Sequence, residues 1–333
     1  MIELLKALVA RPSPSGGEKE VADFLEEWLR GHGLSPFRAG NNLFLVKGSG
    51  PAVLLDAHID TVKPADGWTR DPFAPSLEDG RLYGLGVSDD GGSLVALTHA
   101  FLAARPRRHT LVLSLSAQEE NSGADGFSAV LPLMEEKAGP FVCGIVGEPT
   151  GLKMAVSEKG LMVLDCTVKG VAGHAARGNG VNAIYEALPI IDWFRENGMQ
   201  VTQISAGTQH NVIPDVCNFV VDVRTAGSNE EVLAHIMDSV NCTVKARSTR
   251  LNGSSIGPDH PLVKAAKALG LETYASPTLS NQALCPFPTV KLGPGDPSLS
   301  HKADEYILID EVEKGVQTYL KLLEAYENLG SRL

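Results

Sequence analysis

The sequence predicts an α/β protein with a central, mixed but mostly parallel sheet flanked by helices, into which a smaller two-layer α+β domain is inserted. Three observations carry this. Helical and strand signals alternate through the first half of the chain. The runs AVLLDA, TLVLSLSA and FVCGIVG are apolar on both faces, as suits central strands covered by helices. Near Lys159 the rhythm changes to the order β-α-β-β-α-β, that of a small sandwich, and the α/β pattern resumes from about Asp259.

Taken in order, Ser15 and Glu18 have the spacing of a capping box, and Val21, Phe24, Leu25, Trp28 and Leu29 then fall on one face of a helix. Strands are expected over 43–46, 52–57, 110–117 and 141–146, with a helix over 93–104. In the insertion, 161–168 alternates like a half-solvated strand, 180–195 is helical, 201–206 and 217–224 read as strands, 229–240 as a helix and 243–248 as a last strand. A further helix follows, then a strand over 289–292 and a closing helix from Asp310, whose stripe is Val312, Val316, Tyr319, Leu320 and Leu323. The expected domains are residues 1–158 with 257–333, interrupted by 159–256.

Composition narrows the function. A chain of 333 residues, 43% hydrophobic, with mean hydropathy −0.01, is long enough for two domains with cores of their own. The net charge of −11 and pI near 5.3 argue against nucleic acid or an anionic membrane as partner, since both call for basic patches. A small organic substrate fits better. The start, MIELLKALVARPSPSGG, carries Glu3 and Lys6 and lacks the basic opening and unbroken apolar core of a signal peptide. No run reaches the roughly 20 apolar residues of a membrane span. Cys143, Cys166, Cys217, Cys242 and Cys285 are scattered, without CxxC or CxH spacing. They read as reduced thiols of a cytoplasmic protein, and none is expected to bind metal.

The chemistry concentrates just past apolar runs: His58 and Asp60 in LLDAHIDTV, Asp89 in YGLGVSDDGG, Glu119 and Glu120 in LSLSAQEENSG, Glu148 in VCGIVGEPTG and His301 in SHKADEYI. In open α/β sheets ligands bind beyond the carboxyl ends of strands, where these residues fall. His58 and Asp60 project to the same side, so Asp60 can take the second ring N–H of a metal-bound imidazole. Taken alone, the pair reads better as a core histidine beside an N-cap aspartate. Asp89 precedes a helix and is either its N-cap, in competition with Asp90, or a carboxylate bridging two cations about 3.5–4 Å apart. The glycines before it do not complete a dinucleotide fingerprint. Adjacent Glu119 and Glu120 at a buried rim repel each other unless cations are present, so here metal is the better reading even locally. One carboxylate can then ligate while the other faces the attacking water. Glu148 alone is a loop acid and His301 alone a structural histidine. Their weight comes from concurrence at one sheet edge.

HIDTV, YGxGxxD, EE, VGEPT, GHAARG and HKADEYI, in this order and spacing, resemble the co-catalytic zinc deacylases and exopeptidases, over essentially the whole chain. The likeness is greatest to short deacetylases of arginine biosynthesis acting on N-acetylornithine or N-acetylcitrulline. The resemblance implies the zinc-exopeptidase type of fold and two Zn2+ ions, with Co2+ as a possible substitute. It implies that His58, Asp89 and Glu148 hold one ion and Asp89, Glu120 and His301 the other, with Asp60 orienting His58 and Glu119 as general base. Glu rather than Asp at 148 is the choice of deacylases and carboxypeptidases. His174 of GHAARG matches a histidine that reaches into a partner's active site, which implies a homodimer through the inserted domain. Asn211 and Arg224 match positions that bind substrate oxygens. Without the family pattern these three read as a turn histidine, a turn asparagine and a surface arginine. One departure stands out: many relatives have Lys where this chain has Gly91, which removes a cation near the site but no ligand.

The expected reaction is therefore removal of the N-acyl group from an N-acyl amino acid. Alternatives within the family are a desuccinylase, whose substrate tail Lys159 or Arg177 could meet, and a dipeptidase or carboxypeptidase. A non-catalytic metal-binding homologue is a further alternative, and retention of Glu119 beside all five ligands argues against it.

Overall fold

The computed structural model describes residues 1–329. The chain divides into two compact units, one built from Met1–Ser157, Ser255–Ser276 and the chain from Ser280 onward, the other from Glu158–Ser254 with Pro277–Leu279. The first begins with helices α1 (Ile2–Val9) and α2 (Lys19–Gly31) and strands β1 (Phe37–Ala39), β2 (Asn42–Gly48), β3 (Ala52–His58), β4 (Ser76–Glu78) and β5 (Arg81–Tyr83). Then come α3 (Gly91–Ala103), β6 (Thr110–Ser116), α4 (Phe127–Ala138), β7 (Phe141–Val146) and β8 (Met154–Glu158). The second unit holds β9 (Gly160–Lys169), β10 (Gly173–His174), α5 (Ala183–Glu196), β11 (Gln200–Ala206), β12 (Val212–Ile213), β13 (Val216–Thr225), α6 (Asn229–Ser239) and β14 (Thr243–Ala246). The chain then returns through β15 (Ser254–Ser255), α7 (Pro261–Ala268), β16 (Thr273–Ser276), β17 (Thr289–Lys291), β18 (Tyr306–Leu308) and α8 (Ile309–Leu329).

The main sheet runs β1-β2-β6-β3-β7-β17-β8-β15. Its centre, β6, β3, β7 and β17, is parallel, while β2 on β6 and β8 on β17 are antiparallel. The sheet is thus mixed with a parallel heart, the α/β class that the double-sided apolar runs indicate. Every residue of β3 and β6 is buried. Val53, Leu55, Leu113 and Leu115 pack into one cluster with α1, α2, α3 and α8, and Leu54 and Val112 pack into another with Phe127, Val130 and Met134 of α4. Alternate side chains of one strand feed two opposite layers. Helix α3 lies between sheet and α8 and is buried nearly all round, which is why it lacks an amphipathic stripe.

The structure corrects the expected capping box. Helix α2 starts at Lys19 behind Glu18, and no side chain caps it. The Ser15 hydroxyl donates instead to Asp60 at 2.7 Å. The buried Glu18 carboxylate accepts the N–H of Gly16 at 2.6 Å and Asn41 Nδ2 at 2.9 Å, so the motif's two side chains anchor loops. Helices α1 and α4 and the small sheet β18-β5-β4 are additions to the expected pattern: α4 carries Pro132 in its interior, and strands of three residues are too short for a period to be read.

In the second unit the sheet order is β11-β13-β9-β14, antiparallel throughout. Burial alternates along β9 and β13, and the inward residues close a core with Ala183, Ala187, Phe194 and Ile236 of α5 and α6. Strand β11 is an edge, and only Val201 along it is partly covered. Among the described residues no helix is long and apolar enough to cross a membrane.

Candidate active site

Parallel pairing opens the carboxyl ends of β3, β6 and β7 on one rim of the first unit. Strand β3 ends in His58, buried at 3% exposure. After β6 the chain turns at Gln118, whose φ is +57°, and presents Glu119 and Glu120. Glu148 follows β7 by two residues. Asp89 comes from the turn between β5 and α3, and the Asp89–Asp90 peptide is cis. His301 comes from the loop between β17 and β18.

Asp89 lies between the two imidazoles. His58 Nε2 is 3.2 Å from its Oδ1, while His301 Nε2 is 3.7 Å from its Oδ2 and 3.0 Å from Glu120 Oε1. The Ser300 hydroxyl also donates to Asp89 Oδ2. His58 Nδ1 is 2.8 Å from the backbone carbonyl of Asp60 and 3.5 Å from its carboxylate. A carbonyl only accepts, so Nδ1 carries the proton and Nε2 is left to face Asp89. The main acceptor for the His58 ring is therefore the Asp60 backbone, with the carboxylate second. That carboxylate is spent on Ser15 and on the backbone N–H groups of Glu119 at 3.0 Å and Glu120 at 3.2 Å.

With Nδ1–H committed, the bare Nε2 and Asp89 Oδ1 are both acceptors, and a proton or a cation belongs between them. Two sets of donor atoms, those of His58, Asp89 and Glu120 and those of His58, Glu119 and Glu148, each lie mutually within 4.8 Å. The protein's own charges point the same way. Burial pushes Glu119 up to about 8, with Glu120, Asp89 and Asp60 adding to the effect and His58 opposing it. Burial also holds Glu148 well above the usual carboxylate range, with Lys291 opposing and Asp89 and Glu119 adding. Asp89 is held below that range: burial would raise it, but contacts with His58 and Ser300 outweigh burial. His58 is held well above the ordinary imidazole value, because contacts with Asp60 and Asp89 overcome burial. Buried carboxylates in this excess over cations fit divalent metal ions, which would relieve the repulsion.

The structure thus brings His58, Asp60, Asp89, Glu119, Glu120, Glu148 and His301 together within the first unit. His174, Asn211 and Arg224 lie in the second. There β10 pairs with β12 so that His174 is opposite Val212, and the Asn211 carbonyl accepts the N–H of Ala175 at 3.0 Å, which makes His174 and Asn211 neighbours. Arg224 lies on β13 with its fork closed on Asp222 at 2.9 and 3.1 Å. Gly91, where many relatives carry lysine, opens α3 in close packing: a Cβ there would lie 2.6 Å from the Gly86 carbonyl oxygen and 2.8 Å from Leu5. The sequence reading gave Asp90 only the part of a candidate N-cap, which it fills on α3 while its carboxylate also accepts the His58 N–H at 3.3 Å, and it missed Ser300 and Glu305. Buried Glu305 accepts the N–H groups of Gly86, Ser88 and Asp89 at 2.8–3.0 Å. Its only sequence signal is its place inside HKADEYI.

The model of peptidase family M20/M25/M40 matches residues 54–325. This chain belongs to that family. Among its relatives, a protein named succinyl-diaminopimelate desuccinylase, from Acidiphilium cryptum (strain JF-5), is 28% identical over 365 aligned positions, covering 97% of this chain and 96% of that one. A tripeptidase from Staphylococcus aureus subsp. aureus mu50 superposes with TM-score 0.79 at 19% identity, covering 98% of each chain. A dinuclear metal-binding M20 peptidase from Bacillus subtilis superposes with TM-score 0.72 at 17% identity, covering 100% of this chain and 98% of that one. The M20 family chain described here therefore has the fold of those hydrolases and the metal-dependent amidohydrolase class of its family.

Proposed function

We propose that this M20 hydrolase removes the N-acyl group from an N-acyl amino acid, with N-acetyl-L-ornithine and N-acetyl-L-citrulline as its first candidate substrates. The observation that carries the reaction type is Asp89 set between two imidazoles, with Glu119 anchored beside them. On this reading His58, Asp89 and Glu148 would hold one Zn2+ and Asp89, Glu120 and His301 the other. Bound there, such ions would supply Lewis acidity, making the attacking water more acidic and the amide carbonyl more electrophilic. Glu119 takes the water's proton and returns it to the departing amine. Its backbone, tied to Asp60, keeps the carboxylate aimed. The His174 Nδ1 accepts the N–H of Ala176 at 3.2 Å, which leaves Nε2 to donate, across the dimer, to the oxyanion in the partner's active site. Arg224 clamps the substrate carboxylate with its planar fork, in exchange for Asp222, and Asn211 binds a second substrate oxygen.

A homodimer is part of this reading. Strand β11 is an open edge, and Ile204 (58% exposed) on it joins Tyr185 (68%) and Leu188 (51%) of α5 in leaving large apolar side chains in solvent, a surface suited to a second copy. The acidic charge and reduced thiols support a cytoplasmic setting.

A second reading, removal of a succinyl group, is favoured by the desuccinylase relative, with Arg177 in the turn beside His174 as a cation for the tail. Hydrolysis of N-acetyl and N-succinyl ornithine, citrulline, lysine and diaminopimelate, with and without chelator, separates the two. Release of acetate from the ornithine or citrulline derivative, abolished by chelator and restored by Zn2+ or Co2+, is the expected result. No hydrolysis of any acyl amino acid by the metal-loaded protein would overturn the reading.

A further inference from the structure

Glu305 is buried at 1% exposure and follows His301 by four residues, in the same loop. Its Oε1 accepts the N–H of Ser88 at 2.8 Å and of Asp89 at 3.0 Å, and its Oε2 accepts that of Gly86 at 2.9 Å. Its backbone carbonyl accepts the N–H of Gly84 at 3.1 Å. The next residue, Tyr306, opens β18, which pairs with β5 so that Tyr306 is opposite Tyr83. One residue therefore closes the whole turn Gly84–Asp89 onto the loop that carries His301. No other contact among the described residues ties those two segments with as many bonds to one carboxylate, and Ser300 adds its hydroxyl to Asp89 from the same loop.

We propose that Glu305 is the positioning residue that fixes Asp89 relative to His301 and thereby builds the second metal position, formed by Asp89, Glu120 and His301. This rests on the dinuclear reading above. A carboxylate suits the task because it offers acceptors only, and all three backbone donors converge on it. An amide in its place turns one oxygen into a donor facing a backbone N–H. The turn then shifts, and Asp89 Oδ2 moves against His301. Of the other position's three ligands, His58 and Glu148 rest on β3 and the segment after β7, which Glu305 does not touch, and only the shared Asp89 would feel the change.

The test is Co2+ titration of the metal-free full-length protein, read by visible absorbance and by calorimetry, for wild type, Glu305→Gln and Glu305→Asp. The wild type is expected to take up two ions in two steps. In Glu305→Gln the second step, which depends on Asp89 and His301 together, is expected to weaken by at least about tenfold, with a changed absorbance spectrum for the second ion, and the first step, which shares only Asp89, by clearly less. Two unaltered steps in folded Glu305→Gln would overturn the proposal, as would equal weakening of both. Failure of both variants to fold would also overturn it, by making Glu305 a general determinant of the fold. A wild type that binds no Co2+ would instead remove the dinuclear reading itself.

Discussion

The Asp60 carboxylate accepts the backbone N–H of Glu119 at 3.0 Å and that of Glu120 at 3.2 Å, so one side chain beyond β3 sets the direction of both acids beyond β6. Asparagine at this position keeps one oxygen and must turn a donor toward Ser15 or one of the two N–H groups. Asp60→Asn is expected to fold and to lower kcat about 10–100-fold. Steady-state kinetics alongside circular dichroism check this, and unchanged kcat would detach Asp60 from the orientation of Glu119.

Glu119→Gln removes the proton acceptor while keeping shape and the backbone bond to Asp60. It is expected to retain the metal content of the wild type and lose about 10²–10⁴-fold in turnover. Metal analysis by mass spectrometry and assay of the same sample decide it. Near-normal turnover would send the role of base elsewhere.

Metal removal should reach stability as well as activity, since the buried acids of the site repel one another. Ligand that binds only the folded state adds about 2.7 kcal/mol at a hundred times its Kd. Chelated protein is expected to melt at lower temperature, and Zn2+ to restore the midpoint in a concentration-dependent way. A midpoint indifferent to chelator would contradict the candidate centre.

Gly91→Ala tests packing at the opening of α3. On propensity alone, alanine in a helix gains about 1 kcal/mol over glycine. Contact of the new Cβ with the Gly86 carbonyl and Leu5 should reverse the sign, with a net loss of about 1–3 kcal/mol in denaturant unfolding. A stabilised variant would mean that the turn yields freely, and that lysine could be accepted there too.

Away from the site, Glu327 on α8 gives a pH test. Burial alone would raise its carboxyl, but the N–H groups of Arg107 and Arg108 at 3.0–3.2 Å, with His109, hold it below its ordinary value. A depressed carboxylate contributes stability above its unfolded pKa, near 4.3, and that contribution fades as pH falls through the folded value. Glu327→Gln is expected to cost about 1–2 kcal/mol at pH 7, with the difference from wild type shrinking toward pH 3. An equal difference at both pH values would mean that shape, and not charge, is what the helix end requires.

The α/β class and the rim residues were legible because each of His58, Glu119 and Glu148 stands at or just past the end of a run apolar on both faces, and parallel pairing then leaves few places for their side chains to go. The sequence puts the start of helix α3 at Ser93. It starts at Gly91, since close packing requires residues without a Cβ, which a propensity scale counts only as a cost. Ser15 illustrates a different limit: its spacing to Glu18 matches a cap, but tertiary contact with Asp60 takes the hydroxyl. Glu305 was illegible for a related reason. Its three partners are backbone N–H groups 216 to 219 residues away, and no residue type at the far end marks them.

His58 and His301 differ in one respect that reaches beyond turnover: 2% of the first side chain and 51% of the second meet solvent. Chelators and solvent therefore reach the site from the His301 side, and a cation beside His58 would lie behind it.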